Sequence, residues 1–484
     1  MNSAAQLTRD LTMLVDFYEL TMANGYFTSG MEHKIAYYDM FFRKIPDGGG
    51  FVITAGLEQL IDAIKNLHFT GEDIEYLRDQ HLFSEEFLQY LQNFRFSCDL
   101  WAIPEGTPVF PQEPIVTVRG PIIEAQFIET MLLVLINHQS LIATKANRIV
   151  RAADGRNVVE FGARRAQGAS GALYGARAAY IGGCSGTSLA MAHQMFGIES
   201  FGTMAHSWVQ TFDNELDAFL TYARTYPNDC VLLVDTYNTI KSGVPNALKT
   251  FDQVLAPLGV RPKGIRIDSG DITYLSKKAR RLLDEGGYPD CPILVTNSLD
   301  EFIIRDMLMQ GAKADMFGVG ERLITSSTSP VLGGVYKLAA IEDAGVIVPR
   351  IKISENIKKL TLPGFKTTYR LFDREVGKAI ADVVTLADEV IDDTKPYELF
   401  DPDHTWKRKT IDNFVVRRLQ APIFEKGKLV YQCPDVHEIQ AYCKRQVNHL
   451  WEEVLRFENP HNYYVDLSQK LWDERQRLLT LYSV

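Results

Sequence analysis

Two acids, Asp235 and Asp268, each end a short apolar run in this 484-residue chain: Val231-Leu232-Leu233-Val234 and Gly264-Ile265-Arg266-Ile267. Other polar groups follow the same kind of run. Arg164 and Arg165 come after Val158-Val159-Glu160-Phe161, His206 comes after residues 199–203, and Gly318-Val319-Gly320 comes after residues 314–317. Carboxylates can hold Mg²⁺. Arginine forks pair with phosphate or carboxylate oxygens. Glycine lets the backbone approach a phosphate. Acids, arginines and bare amides on one rim describe a site for a phosphorylated sugar with a metal.

Each residue also has a plainer reading. Aspartate is a favoured helix N-cap, which would account for Asp235 and Asp268. Arg266 alternates with Ile265 and Ile267, so it points to the same side as Asp268. It reads either as a salt-bridge partner of that acid or as a fork for a substrate carboxylate. Gly318 to Gly320 also fit a tight turn, and Gly48-Gly49-Gly50 reads as a hinge before a strand. A lone histidine is more often a hydrogen-bonded structural residue than a catalyst. Ser207, beside His206, sits in no Gly-x-Ser-x-Gly elbow, which argues against a serine nucleophile.

These loops need rigid elements behind them. The apolar runs end roughly 20–45 residues apart with helical stretches between, the repeat of βα units in a parallel sheet. Six such runs are visible, at 158–161, 199–203, 231–234, 264–267, 292–295 and 314–317. Six units fit a doubly wound sheet or an irregular barrel. Both place the active site at the carboxyl ends of the strands, where these polar residues sit. Ser298 and Glu301 read as a capping box. A helix over 274–285 stops at Gly286-Gly287, and Pro245 opens another over 246–255. The flanks differ. Residues 33–55 and 98–120 are strand-rich, and 352–387 read as a meander with turns at Pro363-Gly364 and Asp373-Arg374. The tail from Val436 is helical, with Leu450, Val454 and Leu455 spaced as an amphipathic face. The simplest layout joins the N-terminal and late segments into a second domain.

Composition removes several classes of function. Net charge is −10, and the longest basic cluster is Lys407-Arg408-Lys409, so nucleic acid is not the main partner. The six cysteines form no CxxC pair and no zinc spacing, which suits free thiols in a reducing compartment. Asp10, Asp16 and Glu19 interrupt the start of the chain where a signal peptide would be apolar. The run at 131–136 is too short to cross a bilayer. The expectation is a cytoplasmic protein with no membrane partner.

Six segments together resemble the nicotinate phosphoribosyltransferase family. They are Asp16-Phe17-Tyr18-Glu19-Leu20-Thr21-Met22, Glu160-Phe161-Gly162-Ala163-Arg164-Arg165, Gly202-Thr203-Met204-Ala205-His206-Ser207, Val234-Asp235-Thr236-Tyr237-Asn238-Thr239, Arg266-Ile267-Asp268-Ser269-Gly270-Asp271 and Gly333-Gly334-Val335-Tyr336-Lys337-Leu338. The resemblance runs in order from about residue 8 to about residue 370. It implies an α/β fold: an irregular, TIM-like α/β barrel over 131–351 beside an α+β domain built from 1–130 and 352–435, with C-terminal helices at 436–484.

The resemblance further implies a homodimer with shared active sites, in which Tyr18 stacks on the pyridine ring in the partner's site and Phe161 faces it. Thr203 and Arg266 match nicotinate contacts. Arg164, Gly318 and Gly320 match contacts to phosphoribosyl pyrophosphate. His206 matches a histidine phosphorylated by ATP, so the implied enzyme is an ATP-coupled, ligase-type one of NAD salvage. Asp235 and Asp268 would stabilise charge at the ribose, directly or through Mg²⁺. Glu321 departs from the family pattern, which has a small or neutral residue there, and an acid side chain does not suit phosphate. Nicotinamide phosphoribosyltransferase is a rival, with an acid near the position of Ser188. Quinolinate phosphoribosyltransferase chains are much shorter. A non-catalytic nucleotide sensor on the same fold is the rival of another class.

Overall fold

The computed structural model describes residues 10–356 and 359–482. Residues 1–9, 357–358 and 483–484 belong to the N-terminal stretch, the strand-rich return and the C-terminal helices read above, and they lie outside the described residues. The chain divides into two compact units, Met1–Leu141 with Val331–Val484, and Ile142–Pro330.

The first unit is α+β and draws on both chain ends. In its seven-stranded antiparallel sheet, Ile35–Phe41 pairs with Val335–Asp343 on one side and Val116–Pro121 on the other. Asp99–Ala102 then pairs with Ala421–Glu425. Ile35–Phe41 is buried on both faces, so it reads as a nearly unbroken apolar run. Its one acid, Asp39, is matched by Lys366 Nζ at 2.7 Å and by the Thr117 hydroxyl at 2.7 Å. The expected meander is present: Lys366–Asp373 and Ala379–Leu386 pair antiparallel across the turn at Asp373-Arg374. Helices Val436–Asn448 and Gln469–Tyr482 belong to this unit. Leu450 and Val454 are buried as their pattern suggested, but the helix stops at Asn448 and they pack from a turn.

The run at 131–136 lies inside a stretch, Ile122–Ala152, that is long and apolar enough to cross a membrane. Its most apolar window is 72% buried within the fold, as in the core helix of a globular protein.

The second unit is built on six parallel strands: β1 Asn157–Glu160, β2 Gly186–Thr187, β3 Val231–Leu233, β4 Gly264–Ile267, β5 Ile293–Val295 and β6 Met316–Val319. Their spatial order is β2-β1-β6-β5-β4-β3. Val159, Leu232, Leu233, Ile265, Ile267, Ile293, Val295, Phe317 and Val319 are fully buried, because helices cover a parallel sheet on its outer face. No ladder joins β2 to β3 among the described residues. Side chains close that seam instead, linking Thr203 to Arg266 and His206 to Asp235. The result is the irregular α/β barrel.

Two local readings need correction. Residues 199–203 form a single bridge, Ser200 to Thr187, rather than a strand, and β2 takes their place in the sheet. A Gly-Thr pair offers no apolar run to announce it. Ser298 does not cap the helix Glu301–Met309. Asp300 does, accepting from the Phe302 and Ile303 amides, while Glu301 turns inward to Lys145 at 2.9 Å and Arg148 at 2.7 Å. The other readings hold: one helix runs Ile272–Glu285 to Gly286, and another begins at Val244 with Pro245 in its first turn.

Candidate active site at the strand ends

Asp235 follows β3 and Asp268 follows β4, and neither caps a helix. The caps that follow are Asn238 and Asp271. Asp235 is buried, with contacts on both oxygens. Its Oδ2 accepts from the Asp268 amide at 3.0 Å and from the Ser269 hydroxyl at 2.5 Å, and its Oδ1 meets His206 Nε2 at 3.2 Å. His206 opens the short helix His206–Gln210, and its side chain is 38% exposed. A buried acid therefore orients a histidine that still reaches solvent.

Arg266 is the centre of a second group. It stands on β4 between two fully buried isoleucines and points inward. Nη2 donates to Asp268 Oδ1 at 2.8 Å, Nη1 to the Thr203 hydroxyl at 3.1 Å and Nε to the Thr296 hydroxyl at 3.0 Å. The Thr296 hydroxyl also donates to Asp268 Oδ1. The salt bridge to Asp268 is thus real, and it uses only part of the guanidinium. Among the described residues three of its five N–H groups have partners, which leaves two for a ligand. The guanidinium carbon lies 5.8 Å from the centre of the Phe161 ring, so a cation and an aromatic face share one corner.

Phe161 explains the glycines opposite. A side chain on Gly318 would place its Cβ 2.6 Å from Thr296 Cγ2 and 2.7 Å from Phe161 Cδ2. Gly318 is therefore required by packing under the ring. Gly320 would meet the Phe161 carbonyl at 3.0 Å, and the helix it opens, Glu321–Ile324, has four residues. Arg164 and Arg165 sit in an exposed turn after Phe161. Glu321, the departure from the family pattern, lies 3.5 Å from Arg165 Nε. Ser188 follows β2 at the rim and is exposed. Glu160 sits wholly buried behind the turn, bonded to the Gly162 amide and the Thr187 hydroxyl, and burial raises its pKa above the usual carboxylate range. At the end of β5, Asn297 and Ser298 have φ of 90° and 50°, uncommon for residues with a Cβ and typical of functional loops.

The strand ends of the second unit thus gather Phe161, Thr203, His206, Asp235, Arg266, Asp268 and Gly318. Tyr18 belongs to the first unit, on the helix Phe17–Thr28, and is 46% exposed. Also in that unit, a cavity of about 590 Å³ gathers Arg43, Lys407, His461 and Arg475, and none of the predicted residues lines it. Sequence reading missed Thr296 and Ser269. Both occupy the position after a strand that drew attention to the aspartates, but a hydroxyl there carries less signal than a charge.

The acids can be tested against Mg²⁺. No group of three or more His, Cys, Asp or Glu residues could enclose a metal among the described residues. Asp235 has both oxygens in use, whereas Asp268 Oδ2 has no partner among the described residues. One carboxylate oxygen suits Mg²⁺, which often takes its remaining ligands from substrate phosphates and water.

Three family models match the chain: the nicotinate phosphoribosyltransferase N-terminal domain over residues 13–137, the nicotinate phosphoribosyltransferase family over 157–359, and the nicotinate phosphoribosyltransferase C-terminal domain over 365–475. A nicotinate phosphoribosyltransferase of Bacillus subtilis is 44% identical, covering 96% of this chain and 95% of that one. One from Dictyostelium discoideum is 36% identical, over 96% and 88%. The crystal structure of the human nicotinic acid phosphoribosyltransferase superposes with a TM-score of 0.85 at 28% identity, covering 96% of this chain and 99% of that one.

Proposed function

This chain belongs to the nicotinate phosphoribosyltransferase family and is an enzyme of NAD salvage, and we propose that the strand-end cluster is where it joins nicotinate to phosphoribosyl pyrophosphate. The observation that carries this is Arg266, a largely buried guanidinium fixed by Asp268, Thr203 and Thr296 beside the face of Phe161. A fork next to an aromatic plate fits a flat ring that bears a carboxylate.

In this reading Arg266 and Thr203 hold the carboxylate, and Phe161 stacks on the ring. The ring nitrogen attacks C1 of the ribose while the C1–O bond to pyrophosphate breaks, giving nicotinate mononucleotide and pyrophosphate. Positive charge on the ribose in the transition state is stabilised by the nearby carboxylate of Asp268. Mg²⁺ bound at Asp268 Oδ2 would neutralise charge on the pyrophosphate. Arg164, exposed on its turn, is the basic group for a phosphate. Gly318 and Gly320 serve by making room for Phe161, and any phosphate contact there falls to backbone amides.

His206 is the proposed acceptor of a phosphoryl group from ATP. Its Nε2 is committed to Asp235, which leaves Nδ1 as the nucleophile. Asp235 stabilises the ring cation that forms, and phosphorylation followed by hydrolysis couples ATP to synthesis. The active unit is proposed to be a homodimer. Phe17, Tyr18 and Met22 are 42%, 46% and 41% exposed on one helix, an apolar face that a second copy would cover while offering Tyr18 to its site. A cytoplasmic location suits the six free thiols.

Ser188, an uncharged group at the rim, supports the acid over the amide substrate. The test is pyrophosphate release from purified protein given phosphoribosyl pyrophosphate and Mg²⁺, with nicotinate or nicotinamide, with and without ATP. Release with nicotinate, stimulated by ATP, is expected. Equal rates with nicotinamide would overturn the substrate reading, and no release with either would favour a sensor.

A further inference from the structure

The segment Gly333-Gly334-Val335-Tyr336-Lys337-Leu338 helped to carry the family resemblance, yet nothing in the reaction above uses it. The structure brings its Lys337 to the helix that bears Tyr18. Between them stands the start of the helix Glu129–Ala152.

Glu129 is buried, and its carboxylate lies within reach of the Tyr18 hydroxyl. Lys337 Nζ lies 3.5 Å from Glu129 Oε1 and donates to the Tyr336 carbonyl at 2.7 Å. The next residue along, Thr130, grips the same helix start. Its hydroxyl accepts from the Asp16 amide at 3.2 Å and donates to Glu19 Oε1 at 2.6 Å. Two successive residues of one helix thus hold three of another: Thr130 takes Asp16 and Glu19, and Glu129 takes Tyr18. Burial, then the nearby charges of Glu129 and Glu19, raise the Tyr18 phenol far above its usual range, so the hydroxyl stays a donor.

This arrangement has a cost that packing alone does not explain. Glu129 and Glu19 are both buried acids, and one oxygen of Glu19 has no hydrogen-bond partner among the described residues. Tyr18 itself gains little from burial, since nearly half of it remains exposed. An exposed ring whose hydroxyl is tied to a buried, lysine-paired carboxylate is a ring held at a set angle.

We infer that Glu129, charge-balanced by Lys337, is a positioning residue that fixes the ring of Tyr18 as one wall of the nicotinate site. The inference rests on the proposed stacking role of Tyr18. It also gives the 333–338 segment a role, since Lys337 supplies the cation without which a buried carboxylate could not serve as anchor.

The experiment is steady-state kinetics on the full-length enzyme with Glu129→Ala, Glu129→Gln, Tyr18→Phe, Tyr18→Ala and the double variant Glu129→Ala/Tyr18→Phe. Glu129→Ala and Tyr18→Phe should each raise the nicotinate KM about fivefold to tenfold, the worth of one ordinary hydrogen bond at a half-exposed site. The kcat and the KM for phosphoribosyl pyrophosphate should stay within about twofold, the scatter usual for a group that acts on ground-state binding. The double variant should be no worse than the poorer single, because both remove one contact. Glu129→Gln keeps an acceptor oxygen and should recover most of the loss.

An unchanged nicotinate KM in Tyr18→Phe, a multiplicative double variant, or an equal rise in both KM values would overturn the inference. Tyr18→Phe leaves the fold intact if Glu129→Ala does not. If Tyr18→Ala itself leaves the nicotinate KM unmoved, the stacking role fails. If Tyr18→Ala raises it while Tyr18→Phe does not, stacking stands and the anchor alone is wrong.

Discussion

His206 meets Asp235 through Nε2, and both Asp235 oxygens are occupied by that contact and by the start of the Asp268-Ser269 loop. An acid so placed can orient and polarise the imidazole. His206→Asn should therefore keep slow, ATP-independent synthesis of nicotinate mononucleotide and lose its stimulation by ATP, together with any acid-labile protein phosphate. Stimulation that survives the change would remove His206 from the coupling. Glu19 gives a second prediction at this scale. Burial raises its carboxyl from the ordinary 4.5 to about 7, with the charge of Glu129 adding to the rise and the hydrogen bond from Thr130 opposing it. Between those values the folded chain keeps a proton that the unfolded chain has released. Stability must therefore fall as pH rises through that window and level off above it. Glu19→Gln should match the parent near pH 5 and exceed it by up to about 3 kcal/mol near pH 8, in urea unfolding at the two pH values. An identical pH dependence in the two proteins would contradict the assignment. Charged residues such as Asp235, Arg266 and Asp268 were legible in the sequence because a charge at the end of an apolar run stands out. Thr296, Ser269 and Glu129 were not, since their importance lies in contacts made across the fold.

Among the elements, the parallel strands were the easiest to foresee. Helices cover such strands, so β1, β3, β4, β5 and β6 appear as apolar runs with polar ends. The failures have equally physical causes. β2 is two residues long and has no pattern to show. Ser298 and Asp300 both suit an N-cap, and the backbone geometry chose Asp300 once Glu301 was drawn into its pair with Lys145 and Arg148. Strand β6 also carries a prediction. Gly318 lies under Phe161 with no room for a methyl group. Gly318→Ala should lower stability by about 1–3 kcal/mol through overpacking, and it should raise the nicotinate KM by shifting the ring. Thermal unfolding with kinetics on the same sample checks both. A variant with native stability and native KM would show that the ring is not held there.

On the scale of the whole molecule, the α+β unit was the least legible feature. Its sheet joins Ile35–Phe41 to Val335–Asp343, some 300 residues apart, and no local signal encodes such a partnership. The family resemblance implied a domain drawn from both chain ends, but not this pairing, and the sequence reading grouped 335–343 with the barrel. Barrel closure was hidden for the same reason, since it depends on pairs such as Thr203 with Arg266. The exposed face of Phe17, Tyr18 and Met22 predicts a homodimer of twice 54.7 kDa. Met22→Glu should shift the mass toward one chain and cut activity in parallel, as light scattering and turnover on one preparation would reveal; full activity in a monomer would refute shared sites. The central claim is that Arg266 recognises the carboxylate of nicotinate, and one comparison tests it most directly. The ratio of kcat/KM for nicotinate to that for nicotinamide should be measured in the parent enzyme and in Arg266→Ala. The predicted result is that this ratio falls roughly a hundredfold, the loss of a charge-assisted fork, mainly through the nicotinate term. A ratio unchanged in Arg266→Ala would contradict it.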